Sequence, residues 1–117
     1  MHLQHVGLTC RSEKSADRFY KDLLGLEKAE PRLLPAPLAL AIFGVEADLP
    51  MINYTGPCAH FEVFITDVEK KDRIGHACIE VADMHAFLRD CSELGVEISR
   101  IPKGDRTLTF VRDYDGN

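Results

Sequence analysis

The chain has 117 residues, 45% of them hydrophobic and 28% charged, with a formal net charge of −5. That profile fits one soluble globular domain with apolar content for a single core, and it argues against a disordered chain. No Lys/Arg stripe or interleaved aromatic run offsets the acidic balance, so neither nucleic acid nor an anionic membrane surface is an expected partner.

The N-terminal "MHLQHVGLTC" lacks the charged-then-apolar order of a signal peptide. The most apolar stretch, Leu33 to Val45, is interrupted by Pro35 and Pro37 and is too short to span a bilayer, so a cytoplasmic protein is expected. His2 to Cys10 alternates as a strand, with Val6 and Leu8 on one face and His5, Gly7 and Thr9 on the other. A helix follows, capped at Ser12, with Ala16, Phe19, Tyr20, Leu23 and Leu24 at helical spacing and Gly25 as its stop. Leu26 to Leu34 reads as extended, Pro35 to Pro37 as a break, Leu38 to Phe43 as a strand and Gly44 to Pro57 as a loop. Ala59 to Ile65 is a strand with Phe61, Val63 and Ile65 on one face and His60, Glu62 and Phe64 on the other. The charged run from Asp67 to Arg73 is a solvated connection.

Beyond it the pattern begins again. "GHACIEVAD" predicts a strand, Met84 to Leu94 a helix stopped by Gly95, and Val96 to Ile101 and Leu108 to Val111 two more strands. "QHVGLTC" aligns with "GHACIEV" and "LGLE" with "LGVE", and to within one residue the same displacement carries His5 onto His76 and Gly25 onto Gly95. Such a repeat implies two copies of one supersecondary unit, each with an apolar sheet face that the pairing buries. The second copy is one strand short, ending at the turn "DYDGN", so repeat symmetry places a further strand beyond Asn117.

His5 and His76 hold equivalent strand positions in the two copies. Two strand-borne imidazoles and a carboxylate suit a divalent transition metal, and Glu62, with the phase opposite to Phe61 and Val63, is the candidate carboxylate. His60 shares the face of Glu62 and reads as a rim histidine or a partner to a ligand, while Cys78 and Glu80 share the face of His76 and read as cavity lining. His2 and His85 read as surface residues; Arg11, Arg106 and Arg112 are solvated charge by default. Cys10, Cys58, Cys78 and Cys91 show no CxxC spacing and read as buried free thiols.

The ordered set "QHVGLTC", "FYKDLLGLE", "FEVF", "GHACIEV" and "FVRDYDGN" resembles, along essentially the whole chain, the vicinal oxygen chelate superfamily of glyoxalase I, methylmalonyl-CoA epimerase, extradiol dioxygenases and the fosfomycin and bleomycin resistance proteins. The resemblance implies an α+β fold of paired βαβββ modules whose curled mixed sheet surrounds a cleft, here about 1–66 and 74–117 within a single domain with its last strand missing. It implies metal ligation by His5, Glu62 and His76, with Ni, Zn, Co, Mn or Fe as the ion and Glu62, or a further Glu that these residues lack, as the group that moves a proton. A fourth ligand, usually a Glu three residues beyond the DGN turn, has no counterpart in these residues, so the chain reads as a C-terminally incomplete copy. Thr9 and Thr66 stand where glutathione-dependent members tend to carry a basic residue and an Asn.

The function expected from these features is that of a glyoxalase-like isomerase, epimerase or lyase. It would chelate neighbouring oxygens of a small-molecule substrate and stabilise an enediolate, in a homodimer. The alternatives are a non-catalytic drug- or metabolite-binding protein of the bleomycin-resistance type, with Phe64, Tyr54 and Phe110 lining its cleft, and an extradiol-type dioxygenase, in which Glu62 would be idle.

Overall fold

The computed structural model of the chain describes residues 4–67 and 76–117. It is a mixed α+β fold with a curled, unclosed sheet. The larger sheet runs in the order β1 (Val6–Cys10), β5 (His60–Ile65), β4 (Leu49–Thr55) and β2 (Glu27–Lys28), with β3 (Arg32–Leu34) also paired to β4. β1 lies parallel to β5 and the other pairs are antiparallel. A crossover is needed between parallel neighbours, and helix α1 (Glu13–Ala16), continued by the π-helical stretch Asp17–Leu23, begins it. Ser12 caps this helix by accepting from the Ser15 amide at 3.1 Å, as its position before the apolar periodicity predicts.

Two expectations fail between Pro35 and Pro57. Leu38 to Phe43 is not a strand but part of α2 (Ala36–Phe43). Pro37 occupies the first helical turn, where a missing N–H costs nothing; Pro35 supplies the extended cap; and Gly44, at φ 70°, closes the helix in the left-handed region. The Pro-Ala-Pro run therefore starts a helix instead of breaking the chain. The expected loop, in turn, contains β4. Pro50 masks it, yet Pro50 sits near the start of β4 opposite Leu33 of the three-residue β3, while Ile52 and Tyr54 further along carry the buried phase.

The second half supplies α3 (Met84–Glu93), capped by Asp83, and the hairpin β6 (Glu97–Lys103) and β7 (Arg106–Arg112) as a separate two-stranded sheet. The strand expected at "GHACIEVAD" is absent: Gly75 lies outside the described residues, and 76–83 are not in a strand. In the first half, among the described residues, β1 is held in the sheet by β5 alone. Among the described residues no strand stands in the equivalent place beside residues 76–83, so the alternating pattern there has no ladder to join.

One core serves both halves. Cys10, Phe19, Tyr20, Ile52, Tyr54, Phe61 and Val63 from the first pack with Cys91 and Val96 from the second. The Tyr20 ring lies 5.4 Å from Tyr54 and 5.3 Å from Phe61. The two tyrosine hydroxyls leave this core toward carboxylates, as buried phenols must. Tyr54 donates to Asp17 at 2.8 Å, and Asp17 also receives Lys28 at 2.9 Å, while Lys28 pairs in addition with Glu13. Tyr20 donates to Asp113 at 2.9 Å, and the Cys10 thiol approaches the same oxygen at 3.4 Å. Asp113, 5% exposed, further accepts from the amides of Asp115 and Asn117 and from the Asn117 carboxamide. That carboxamide also donates to the Thr9 carbonyl at 2.8 Å, which fastens the DGN turn to β1.

Asp113→Ala leaves a buried phenol, a thiol and two amides without their acceptor, and should lower the unfolding free energy by about 3 kcal/mol, read as a shifted urea midpoint at constant m. Burial works against ionisation of Asp17, but hydrogen bonds from Lys28 and Tyr54 prevail and hold its carboxyl below the ordinary 3.8. A depressed folded-state value gives stability that is complete above the unfolded-state value and is lost as pH falls through the folded one. Asp17→Asn should therefore flatten the acid limb of the stability profile below about pH 4.

Candidate functional site

The strand phase that buries Val6, Leu8, Phe61 and Val63 turns His5, Gly7, Thr9, Glu62 and Phe64 to the other side of the sheet. Register then sets the neighbours: Gly7 is opposite Glu62 on one side and Asn53 is opposite it on the other. His5, one residue before β1, reaches Glu62 with Nε2 at 3.3 Å from Oε2. The side chains are 45% and 23% exposed, so the pair is open to a ligand without being free in solvent.

A cleft of about 490 Å³ opens over this pair, within the usual range for a small-molecule site. Phe43, Val45, Leu49 and Phe64 form its apolar walls, the β1 stretch Gly7, Leu8 and Thr9 part of its floor, and Thr66 also lines it. The Phe43 wall comes from α2, whose Ala39 is fully buried in a cluster with Leu49 and Phe64. Phe43 meets Phe64 edge to face, 5.1 Å between centroids. Sequence reasoning missed Phe43 because it assigned α2 as a strand, and Val45 and Leu49 because it read Gly44 to Pro57 as a loop; Pro37 in the first turn and Gly44 after the last were the signals for the helix.

The other expected site residues divide. His76, Cys78 and Glu80 are exposed in the segment that is not in a strand, and none lines this cleft. Among the described residues no group of three or more His, Cys, Asp or Glu stands ready to hold a metal. His60 lies beside His5, with ring centroids 5.7 Å apart, and its Nε2, like Asn53 Oδ1, is buried without a hydrogen-bond partner. Tyr54 is not a cleft residue: it is fully buried on the core face, where its phase along β4 puts it. Phe110 is exposed on β7 away from the lining. Cys10 and Cys91 are buried as expected, but Cys58 and Cys78 are exposed, because the loop and the segment that carry them are not packed. Burial first, then Asp113 and Asp115, pushes the Cys10 thiol far up, so it remains protonated at neutral pH. Arg11 pairs with Asp115 at 3.5 Å and Arg112 with Glu97 at 3.2 Å, so both have structural partners. His2 lies outside the described residues, and His85 is exposed on α3.

The His5–Glu62 spacing bears on whether a metal would fit. Two donors about 2.1 Å from a common ion and about 90–109° apart lie roughly 3.0–3.4 Å from each other. The observed 3.3 Å matches that edge, and an imidazole with a carboxylate is a donor set that several first-row divalent ions accept.

No helix among the described residues is long and apolar enough to cross a membrane. No curated protein sequence matches the chain. Among solved structures, a glyoxalase family protein from Enterococcus faecalis aligns at TM-score 0.65 and 18% identity, over 98% of this chain and 91% of that one. The fosfomycin resistance protein FosX from Mesorhizobium loti aligns at TM-score 0.65 and 12% identity, over 97% and 84%. A mutant FosX from Listeria monocytogenes, complexed with Mn(II) and a dihydroxypropylphosphonic acid, aligns at TM-score 0.69 and 12% identity, over 97% and 82%. These identities speak for the fold. The family model for the Glyoxalase/Bleomycin resistance protein/Dioxygenase superfamily matches residues 2–117, and the chain belongs to that superfamily.

Proposed function

We propose that the protein is a metal-dependent enzyme of this superfamily, an isomerase, epimerase or lyase acting on a small oxygenated molecule. The observation that carries the reading is the His5–Glu62 pair, 3.3 Å apart on the floor of an apolar cleft. His5 and Glu62 would hold the ion, with His76 as a third donor from the second copy of the repeat. A bound divalent ion would supply Lewis acidity to two neighbouring substrate oxygens, the chemistry that stabilises an enediolate.

The residues divide the remaining work. Glu62 is half-buried, with one oxygen turned to His5; on this reading it takes a proton from the carbon beside a substrate carbonyl and returns it. Before an ion is bound, His5 Nε2, 3.3 Å away, fixes that carboxylate in place. The walls from Phe43, Val45, Leu49 and Phe64 exclude water from one side and strengthen each electrostatic contact at the floor. The homodimer belongs to the same reading, since β1 and β2 are the outer strands of the larger sheet among the described residues. A non-catalytic binder of the bleomycin-resistance type is the second reading, favoured by those apolar walls. The extradiol reading leaves Glu62 idle, which its contact with His5 speaks against.

Mn(II) titration followed by electron paramagnetic resonance tests the proposal. Wild-type protein should bind the ion, and His5→Ala and Glu62→Gln should each weaken binding about tenfold or more. Unchanged Mn(II) affinity in both variants would sink the metal-dependent reading in favour of the binder. His76→Ala tests the third donor in the same titration.

A further inference from the structure

We propose that the cleft selects an uncharged substrate carrying a phenyl-sized apolar group next to its oxygen-bearing end; this names the substrate class for the function proposed above. Three observations support it. The first is the wall chemistry. Beside the His5–Glu62 pair, Leu8, Phe43, Val45, Leu49 and Phe64 line the cleft, and no described lining residue is Lys or Arg. A phosphonate, phosphate or carboxylate on the substrate would lose hydration against these walls and meet the Glu62 carboxylate with no Lys or Arg among the described lining residues to offset it.

The second is Phe43. The residue is 51% exposed although its helix is anchored, because fully buried Ala39 fixes α2 against Leu49 and Phe64 while the Phe43 ring stands at the cavity edge. Edge-to-face packing on Phe64 orients that ring, and its exposed surface offers a ligand ring a further aromatic contact.

The third is Gly7. Its backbone is not among those with positive φ, so the conformation does not call for glycine. Glycine in a strand interior costs stability and often marks a place where a ligand comes close. A Cβ at position 7 would meet only the Phe64 ring, at 3.8 Å. The floor over Gly7, flanked by the Phe64 ring and directly beside Glu62 in the register, is therefore left open by the absence of a side chain.

Three α-hydroxy ketones with the same oxygen-bearing end separate the possibilities: phenacyl alcohol, hydroxyacetone and dihydroxyacetone phosphate. Each is titrated into the full chain by calorimetry, with and without Mn(II). Burying the phenyl group should make phenacyl alcohol bind on the order of tenfold tighter than hydroxyacetone, and dihydroxyacetone phosphate should bind no tighter than hydroxyacetone. Gly7→Val, which fills the space, and Phe43→Ser, which removes the wall, should each abolish the phenyl advantage. Tighter binding of the phosphate than of phenacyl alcohol would overturn the assignment, as would a phenyl advantage that survives in both variants. A phenyl advantage in a protein that binds no Mn(II) supports the assignment while removing the metal-dependent function. Mn(II) binding with preference for the phosphate does the reverse.

Discussion

The fold depends on one buried carboxylate. Asp113 sits where β7 ends, and the groups it accepts from are spread across the chain: Tyr20 of the first helix, Cys10 of β1, and the backbone and side chain of its own turn. An uncompensated carboxylate at that depth would be costly, so all these donors must be in place together. Asn117 extends the arrangement to the Thr9 carbonyl, and Ser15 donates to Asp115 at 2.6 Å. The turn thus closes the second half onto the first by hydrogen bonds that no local propensity encodes. Around it, Arg18 reaches the Leu94 carbonyl at 3.1 Å and lies 4.4 Å above the Tyr114 ring, while Tyr114 donates to that carbonyl at 2.7 Å.

The same strand that is pinned at Cys10 presents His5 and Gly7 to the cleft. Core and cleft are opposite faces of β1, β4 and β5, and a shift of one residue in any pairing would exchange them. Such a shift would place Val63, fully buried, in water and Glu62 in the aromatic core. Desolvating that carboxylate among Tyr20, Tyr54 and Phe61 has no compensating cation, so the register is held by penalty as well as by packing.

What the sequence disclosed followed the range of the forces involved. Alternation in β1 and β5 depends on burial of neighbouring side chains, and it placed His5 and Glu62 on one face correctly. Helices α1 and α3 carry their own caps in Ser12 and Asp83 and were legible for that reason. The repeat pointed to the superfamily, and its fold follows. α2 was misread because its eight residues are apolar on every side, which removes the periodicity that separates a helix from a strand, although its proline and glycine signals were present. β4 was hidden by Pro50, tolerable only because of where it falls against a very short neighbour. The segment that begins at His76 shows the opposite error. Its alternation is as good as that of β1, but a strand is made by its partner, and pattern alone cannot supply one.

This difference in range also explains why the cleft has two unlike sides. Its floor is set by long-range pairing, where the Gly7–Glu62 and Glu62–Asn53 registers leave little freedom in the placement of a carboxylate. Its wall is set locally, by a short helix held through Ala39, the contact of Phe43 with Phe64 and the Ala36 amide donating to Asp48 at 2.7 Å. A wall held this way can change its exposed side chains without disturbing the sheet that holds His5 and Glu62. Floor and wall are therefore built by different parts of the chain. On the function proposed above, substitutions in α2 would retune which molecule enters while His5 and Glu62 stay where the core has placed them.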